Sequence, residues 1–351
     1  MIVFDGYGTS STKDMTQSRR NKGITGVEVS FDENMNLHTS KDLFLSNSKN
    51  KMKFIQMLGR NLSAEGCDVT YSIADTDTNI CFKSIEAART KTVKVIGDDT
   101  DLLVLLLYHF EDKSKNIIFM PQQTSRKAKI WSLCDISLQL PSLIKENIIF
   151  VHALMGCNTT SCLQGLGKVL GLKKLQSSKK FSDIARIFNE PNQNQETVIL
   201  WGEEALLILY NGKDEVSLNE LRHKRFIDKI SVRLNTVNPS ALPPTSSAVK
   251  FHNFRVYLQV QQWKNTVCML DPEEWGWKKS GDILIPITMD IPAAPQELLK
   301  VIRCTCKTDC SNRTCTCRKY SRDCSIACLN CRGTACSNSE PIISGHLPGE
   351  D

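Results

Sequence analysis

Apolar residues at the front of the chain come in short runs: Ile2-Val3-Phe4, Val69 to Ser72, Thr92 to Ile96 and Ile117 to Met120. Brevity and β-branched or aromatic character predict buried strands. The stretches between them carry helical spacing. Met52, Ile55, Leu58 and Leu62 share one face over 51–62, and Ile80, Lys83-Ser84 and Ala87-Ala88 recur on successive turns of 78–90. The run Leu102 to Tyr108 reads as a buried helix. Strand and helix thus alternate, which predicts an α/β fold with a largely parallel sheet, whose ligands gather at the carboxyl ends of the strands. Residues 21–50 are polar and ambiguous. Beyond the alternating part the pattern turns helical. An apolar helix ends near Gly156, and a second opens at Gly165-Leu166-Gly167-Lys168. Helical spacing returns over 196–235, where Ser217 to Glu220 is a capping-box pattern, and over 247–263. Pro239 to Pro244 is a break, and Pro286, Pro292 and Pro295 mark a linker.

The final stretch follows a different logic. Nine of the 15 cysteines fall in the 33 residues from Cys304 to Cys336, where Ile326 and Leu329 are the only large aliphatic residues. Too little apolar surface is present to hold such a segment, so disulfides or metal must do it. An odd count leaves one thiol outside a pure disulfide framework. Closed zinc sites take four ligands each, so three ions need twelve places, and nine thiolates fill them if three bridge. Cys304, Cys306, Cys310, Cys315, Cys317, Cys324, Cys328, Cys331 and Cys336 are the candidate ligands. A disulfide knot and an unstructured cysteine-rich tail are the alternatives. The two C-x-C pairs and the closing Cys328-x2-Cys331-Arg332-Gly333-x2-Cys336-x-Asn338 resemble the CXC domain of tesmin-like and related chromatin proteins. That resemblance implies a three-zinc, nine-cysteine cluster of structural ions, DNA as partner, chromatin proteins beside it, and a nuclear location. A tyrosine commonly precedes the fourth cysteine in that family; Thr314 stands there in this chain. The family's paired repeats are reduced to one.

Charge and composition narrow the class. At 351 residues, 41% hydrophobic and 23% charged, the chain can bury a core upstream of the cysteines. Its first residues lack a signal-peptide pattern, and no apolar run approaches the ~20 residues of a membrane span. A soluble intracellular protein is expected, and a reducing compartment favours zinc over disulfides. The net charge of +6 is mild. Within 303–338, seven cationic side chains face only Asp309 and Asp323. Any affinity for DNA must therefore come from a few well-placed side chains, Arg313, Arg318, Lys319 and Tyr320, rather than from bulk charge. Solvated surface charges are the plain alternative.

Aspartates mark the ends of the predicted strands: Asp5, Asp75, Asp77, Asp99 and Asp101. Singly, such residues are turn formers. Gathered, they would repel one another unless Mg²⁺ or Mn²⁺ sat among them, and two such ions can cleave a phosphodiester. VFDG followed by Lys13 and Arg19, then ADTD, GDDTDLLVL and ALMGCNTTSCLQGLGK, resemble the flap-endonuclease and XPG-type branch of the PIN-like nucleases over 1–175. The resemblance implies that the five aspartates hold metal, that Lys13 and Arg19 contact the scissile phosphate, and that Gly165, Gly167 and Lys168 bind backbone phosphates. Two departures stand out. Asn158 occupies a position where the family carries aspartate, and the family's first strand has no counterpart ahead of the VFDG strand. An ordinary α/β domain with Asp-capped turns is the alternative.

Other candidates read as structural. His152 sits in an apolar helix and is expected in the core, with a catalytic role as the alternative; Cys157 and Cys162 read as structural, with stray metal ligation as the alternative. Gly165-x-Gly167-Lys168 lacks the P-loop spacing. Phe251, Phe254, Tyr257 and Trp263, beside Lys250, His252 and Arg255, have the spacing of a core stripe, with stacking on nucleic acid as the alternative; Trp275 and Trp277 read as packing. The expected organisation is a PIN-like domain over 1–175, a mainly helical region over 176–282, a Pro-rich linker over 283–300, a zinc-cluster domain over 301–338 and a tail over 339–351. The combination looks transposon-derived. The expected function is zinc-dependent DNA binding with a degenerate nuclease-like domain; the alternative is a structure-specific endonuclease targeted by the cysteine module. No small-molecule cofactor is evident.

Overall fold

The computed structural model describes residues 1–5, 12, 26–72, 75–122, 129–212, 217–232, 239–265, 270–281, 283–291, 303–307, 309–321, 323–325, 328–333 and 336–339, with the backbone alone at 5 and 230–232. Lys13, Arg19, the linker from 292 to 300 and the tail from 340 onward lie outside these residues. The chain divides into two units, 1–225 with 240–290, and 226–239 with 291–351.

The first unit opens with β1 (Ile2–Asp5), then α1 (Lys41–Ser46) and α2 (Ser48–Ala64). The ambiguous polar stretch is organised by side-chain amides rather than by apolar spacing. Asn47 caps α2 by accepting from the N–H groups of Lys49 and Asn50. The buried Asn50 donates to the carbonyl of Val27 at 2.9 Å and accepts from the N–H of Val29 at 2.8 Å.

The alternating strands and helices form close to where the pattern puts them. They are β2 (Val69–Ser72), α3 (Thr76–Ala88), β3 (Val93–Ile96), α4 (Thr100–His109) and β4 (Ile117–Met120). β1 runs parallel to β2, pairing Ile2 with Val69 through Asp5 with Ser72. β3 runs parallel to β4, and β5 (Trp131–Ser132) adds to β4 antiparallel. The fold is therefore mixed α/β, and of the largely parallel sheet expected the described residues show parallel pairs in two separate sheets, β1–β2 and β3–β4–β5. One sheet would need a ladder from β1 or β2 to β3, and among the described residues β3 bonds only to β4. The crossover helix α3 packs on β1, β3 and β4.

Helices dominate the rest of this unit: α5 (Leu133–Gln139), α6 (Ser142–Leu154), α7 (Lys168–Ser177), α8 (Lys179–Asn189), α9 (Gln195–Leu209), α10 (Leu218–Val232, which continues into the second unit) and α11 (Ser246–Lys264). The helical expectation over 196–235 resolves into two helices. α9 stops where Tyr210 caps it and Asn211 takes a positive φ of 54°, and α10 restarts with Ser217 Oγ accepting from the N–H of Glu220.

α11 packs against α9 and α6 and is buried nearly all round. Phe251, Phe254, Tyr257 and Trp263 are core residues, and Trp275 lies 4.8 Å from Tyr257 between ring centroids. The aromatic stripe thus faces protein. Three of the polar groups that the helix carries into the core bond to backbone carbonyls. His252 donates to Leu154 O at 3.0 Å, Gln261 to Phe188 O at 2.9 Å, and Arg255 to Ile287 O at 2.7 Å.

β6 (Trp277–Ser280) and β7 (Ile283–Pro286) then pair antiparallel, Trp277 against Pro286. Residues 283–286 thus belong to a hairpin, not to the expected linker. Among the described residues no helix is long and apolar enough to cross a membrane.

Candidate metal centre

Among its described residues the cysteine module has almost no regular structure. α12 (Thr316–Lys319) is a single turn, and Cys324 makes an isolated bridge to Ser339. Turns shape the rest. Ser321, Arg332 and Gly333 have positive φ, and a Cβ on Gly333 would sit 2.4 Å from the Cys324 carbonyl oxygen, so only glycine fits. These reversals aim the sulfurs inward. Cys304, Cys310, Cys315, Cys317, Cys324 and Cys328 are buried together, with Cys306, Cys331 and Cys336 packed against them.

Sulfur spacing decides what holds this core. Cys304 Sγ lies 3.7 Å from Cys310 Sγ, 3.8 Å from Cys324 Sγ and 3.7 Å from Cys331 Sγ. Cys315 Sγ is 3.8 Å from Cys324 Sγ, and Cys317 Sγ is 3.5 Å from Cys328 Sγ. Disulfide sulfurs stand ~2.05 Å apart. Two ligands on a tetrahedral ion with ~2.3 Å bonds stand about 3.8 Å apart. The cysteines are free thiols at the spacing of metal ligands.

Three sets of four have sulfurs all within 4.8 Å of one another: Cys304-Cys324-Cys328-Cys331, Cys304-Cys310-Cys315-Cys324 and Cys310-Cys324-Cys331-Cys336. Each matches the four thiolates of a closed zinc site, so the module can hold zinc. Burial pushes the Cys304 thiol up to about 12 and the Cys317 thiol up to about 11. Burial acts on Cys315 too, but the Arg318 N–H and neighbouring sulfurs outweigh it and lower that thiol to about 6. Crowded sulfurs without a cation keep protons among themselves; a divalent ion takes the protons' place.

The basic side chains divide. Arg313, Lys319 and Tyr320 are exposed, Tyr320 by 59%. Arg318, expected beside them as a DNA contact, is turned into the module. Its Nε donates to Cys310 O and its Nη2 to Ser337 O, both at 2.8 Å. Two of the five guanidinium N–H donors thereby brace the loop.

The acidic residues of the first unit are placed one by one. Asp5 ends β1, opposite Ser72 in the ladder. Asp75 caps α3, accepting from the Asp77 N–H at 3.3 Å, and Asp99 caps α4, accepting from the Asp101 N–H at 2.9 Å. Asp101 is buried, and its Oδ1 takes a hydrogen bond from His152 Nε2 at 2.7 Å. Among the described residues, every group of three or more ligand atoms close enough to share an ion is made of cysteines.

Gly167 precedes α7 as its cap, and Gly165 has a φ of +78° with open space around it. Lys168 bends back so that its Nζ lies 3.0 Å from both ring nitrogens of His152. His152 is a core histidine, as its apolar helix implies. Its bonding to Asp101 and Lys168 joins residues 51 and 16 positions away, and no local pattern signals it. Cys157 is half-buried against Thr159 and Thr160. The exposed Cys162 instead backs the turn at Gly156, whose φ is +110°.

No protein-family model matches this chain, and no curated protein matches it.

Proposed function

We propose that this chain is a DNA-binding protein whose C-terminal module is a three-zinc, nine-cysteine cluster of the tesmin-like CXC type. The observation that carries this reading is the overlap of the three four-cysteine sets. Cys304, Cys310 and Cys331 each belong to two sets, as bridging thiolates would, and Cys324 belongs to all three. As they stand, the three sets fill twelve ligand places with seven sulfurs, Cys324 serving three times. Cys317, 3.5 Å from Cys328, and Cys306, packed on the cluster, would take over two of those three places, which leaves Cys304, Cys310 and Cys331 as the bridges and Cys324 among six terminal ligands.

The cluster fixes the backbone of α12, and Arg313, Lys319 and Tyr320 project from it as the DNA contacts. Arg and Lys held in this way can enter a narrow minor groove. Nuclear location follows from that role. Residues 1–175 are read as a PIN-like scaffold that has lost catalytic competence: Asp75 and Asp99 act as caps, Asp101 is engaged by His152, and Asn158 replaces a carboxylate. Gel-shift titration of the full chain tests the reading. Zinc-loaded protein should bind duplex DNA, and chelated protein or the Cys306→Ala variant should not. Equal binding by all three rejects it.

The second reading, a Mg²⁺ or Mn²⁺ nuclease directed by the module, is favoured by one observation. Asp75 and Asp99 each follow the carboxyl end of a parallel strand, where α/β proteins place their sites. Cleavage of flap or single-stranded DNA that disappears in Asp101→Ala would favour it; no cleavage, or cleavage unchanged by the substitution, would reject it.

A further inference from the structure

The last turn of the module, Cys336 to Ser339, is pinned from three sides. Asp309 Oδ1 accepts the Ser337 N–H at 2.8 Å, Arg318 Nη2 donates to the Ser337 carbonyl at 2.8 Å, and the Cys324 N–H donates to the carbonyl of Asn338. The result is that the buried Asn338 side chain points its Nδ2 at Cys324 Sγ, 3.4 Å away. That sulfur is the one shared by all three four-cysteine sets.

We infer that Asn338 is a positioning residue of the cluster, whose side-chain amide donates to the Cys324 sulfur and holds it as a thiolate ligand. The inference rests on the zinc reading above. A thiolate is an acceptor, and an N–H aimed at it stabilises the charged form over the protonated one and fixes the direction of its lone pairs. Partners one layer outside the ligands commonly tune metal affinity in this way. Asn suits the task because one end is a donor; the isosteric carboxylate of Asp would present only acceptors and a negative charge to the same sulfur.

The test uses the full chain with Asn338→Asp, Asn338→Ala and a control, Asn330→Ala. Asn330 donates to the Thr305 carbonyl at 3.2 Å and so breaks a comparable amide bond without touching sulfur. Each protein is loaded with Co²⁺ to read the sulfur-to-metal charge-transfer band, and zinc is withdrawn with a chromophoric chelator. Both Asn338 variants should shift the band and hold zinc about 10–100-fold more weakly, with Asp the worse, while Asn330→Ala matches the parent. Parent-like band and retention in both Asn338 variants would overturn the inference, as would an equal loss in Asn330→Ala. A parent chain that takes up no zinc would overturn the zinc reading itself, and this inference with it.

Discussion

Arg318 Nε donates to the Cys310 carbonyl at 2.8 Å, so one of the side chains expected to contact DNA also braces the module. Its second bond, to Ser337, ties the closing turn to the same guanidinium. Arg318→Ala should therefore lower zinc retention together with DNA binding, at a stability cost of about 1–3 kcal/mol for two lost bonds from a charged donor. Lys319→Ala should weaken DNA binding and lessen its salt dependence with zinc content unchanged. Parallel zinc assays and salt-dependent gel shifts on the two variants check this.

The two roles offered for Asp99 separate by chemistry. As the cap of α4 it needs an acceptor oxygen, which Asn supplies as well as Asp does. Asp99→Asn should melt within a few tenths of a kcal/mol of the parent, and Asp99→Ala should lose about 1 kcal/mol. If Asp99 holds a catalytic cation instead, Asp99→Asn should remove Mg²⁺-dependent cleavage at unchanged stability. Thermal unfolding and a nuclease assay on the same two variants read both.

The legibility of the chain follows from the range of its interactions. Strands such as Val69–Ser72 and Ile117–Met120, and helices such as α4 and α11, are written in local apolar spacing and form where that spacing puts them. The cysteines are legible too, because metal-ligand chemistry shows in residue type and spacing. What stayed hidden is non-local. Nothing near β1 or β3 in sequence says that they will not join one sheet. Arg318 looks like any exposed cation until the carbonyls of Cys310 and Ser337 are folded beside it. Asn50 organises a polar segment that has no apolar period, through bonds to residues more than twenty positions away.

His252 should make the first unit sensitive to acid. Full burial, with the Arg255 charge adding to it, lowers its folded-state value to about 4 from the usual 6.5, while its bond to Leu154 O opposes the shift. The folded value lies below the unfolded one, so its contribution is fully present above pH 6.5 and is lost as pH falls towards 4. The loss amounts to roughly 3 kcal/mol at ~1.4 kcal/mol per unit. His252→Gln, which can keep a donor near Leu154 O, should flatten the stability profile between pH 6.5 and 4 in urea unfolding at several pH values. An unchanged slope would assign the acid sensitivity elsewhere.

The cluster itself is tested most directly by counting metal. Native mass spectrometry of the full chain, purified under reducing conditions and paired with elemental analysis, should give three zinc ions per chain, lost on chelation with uptake of protons by the thiolates. A chain that carries no zinc, or whose Cys304 to Cys336 segment is joined by disulfides, would contradict the account.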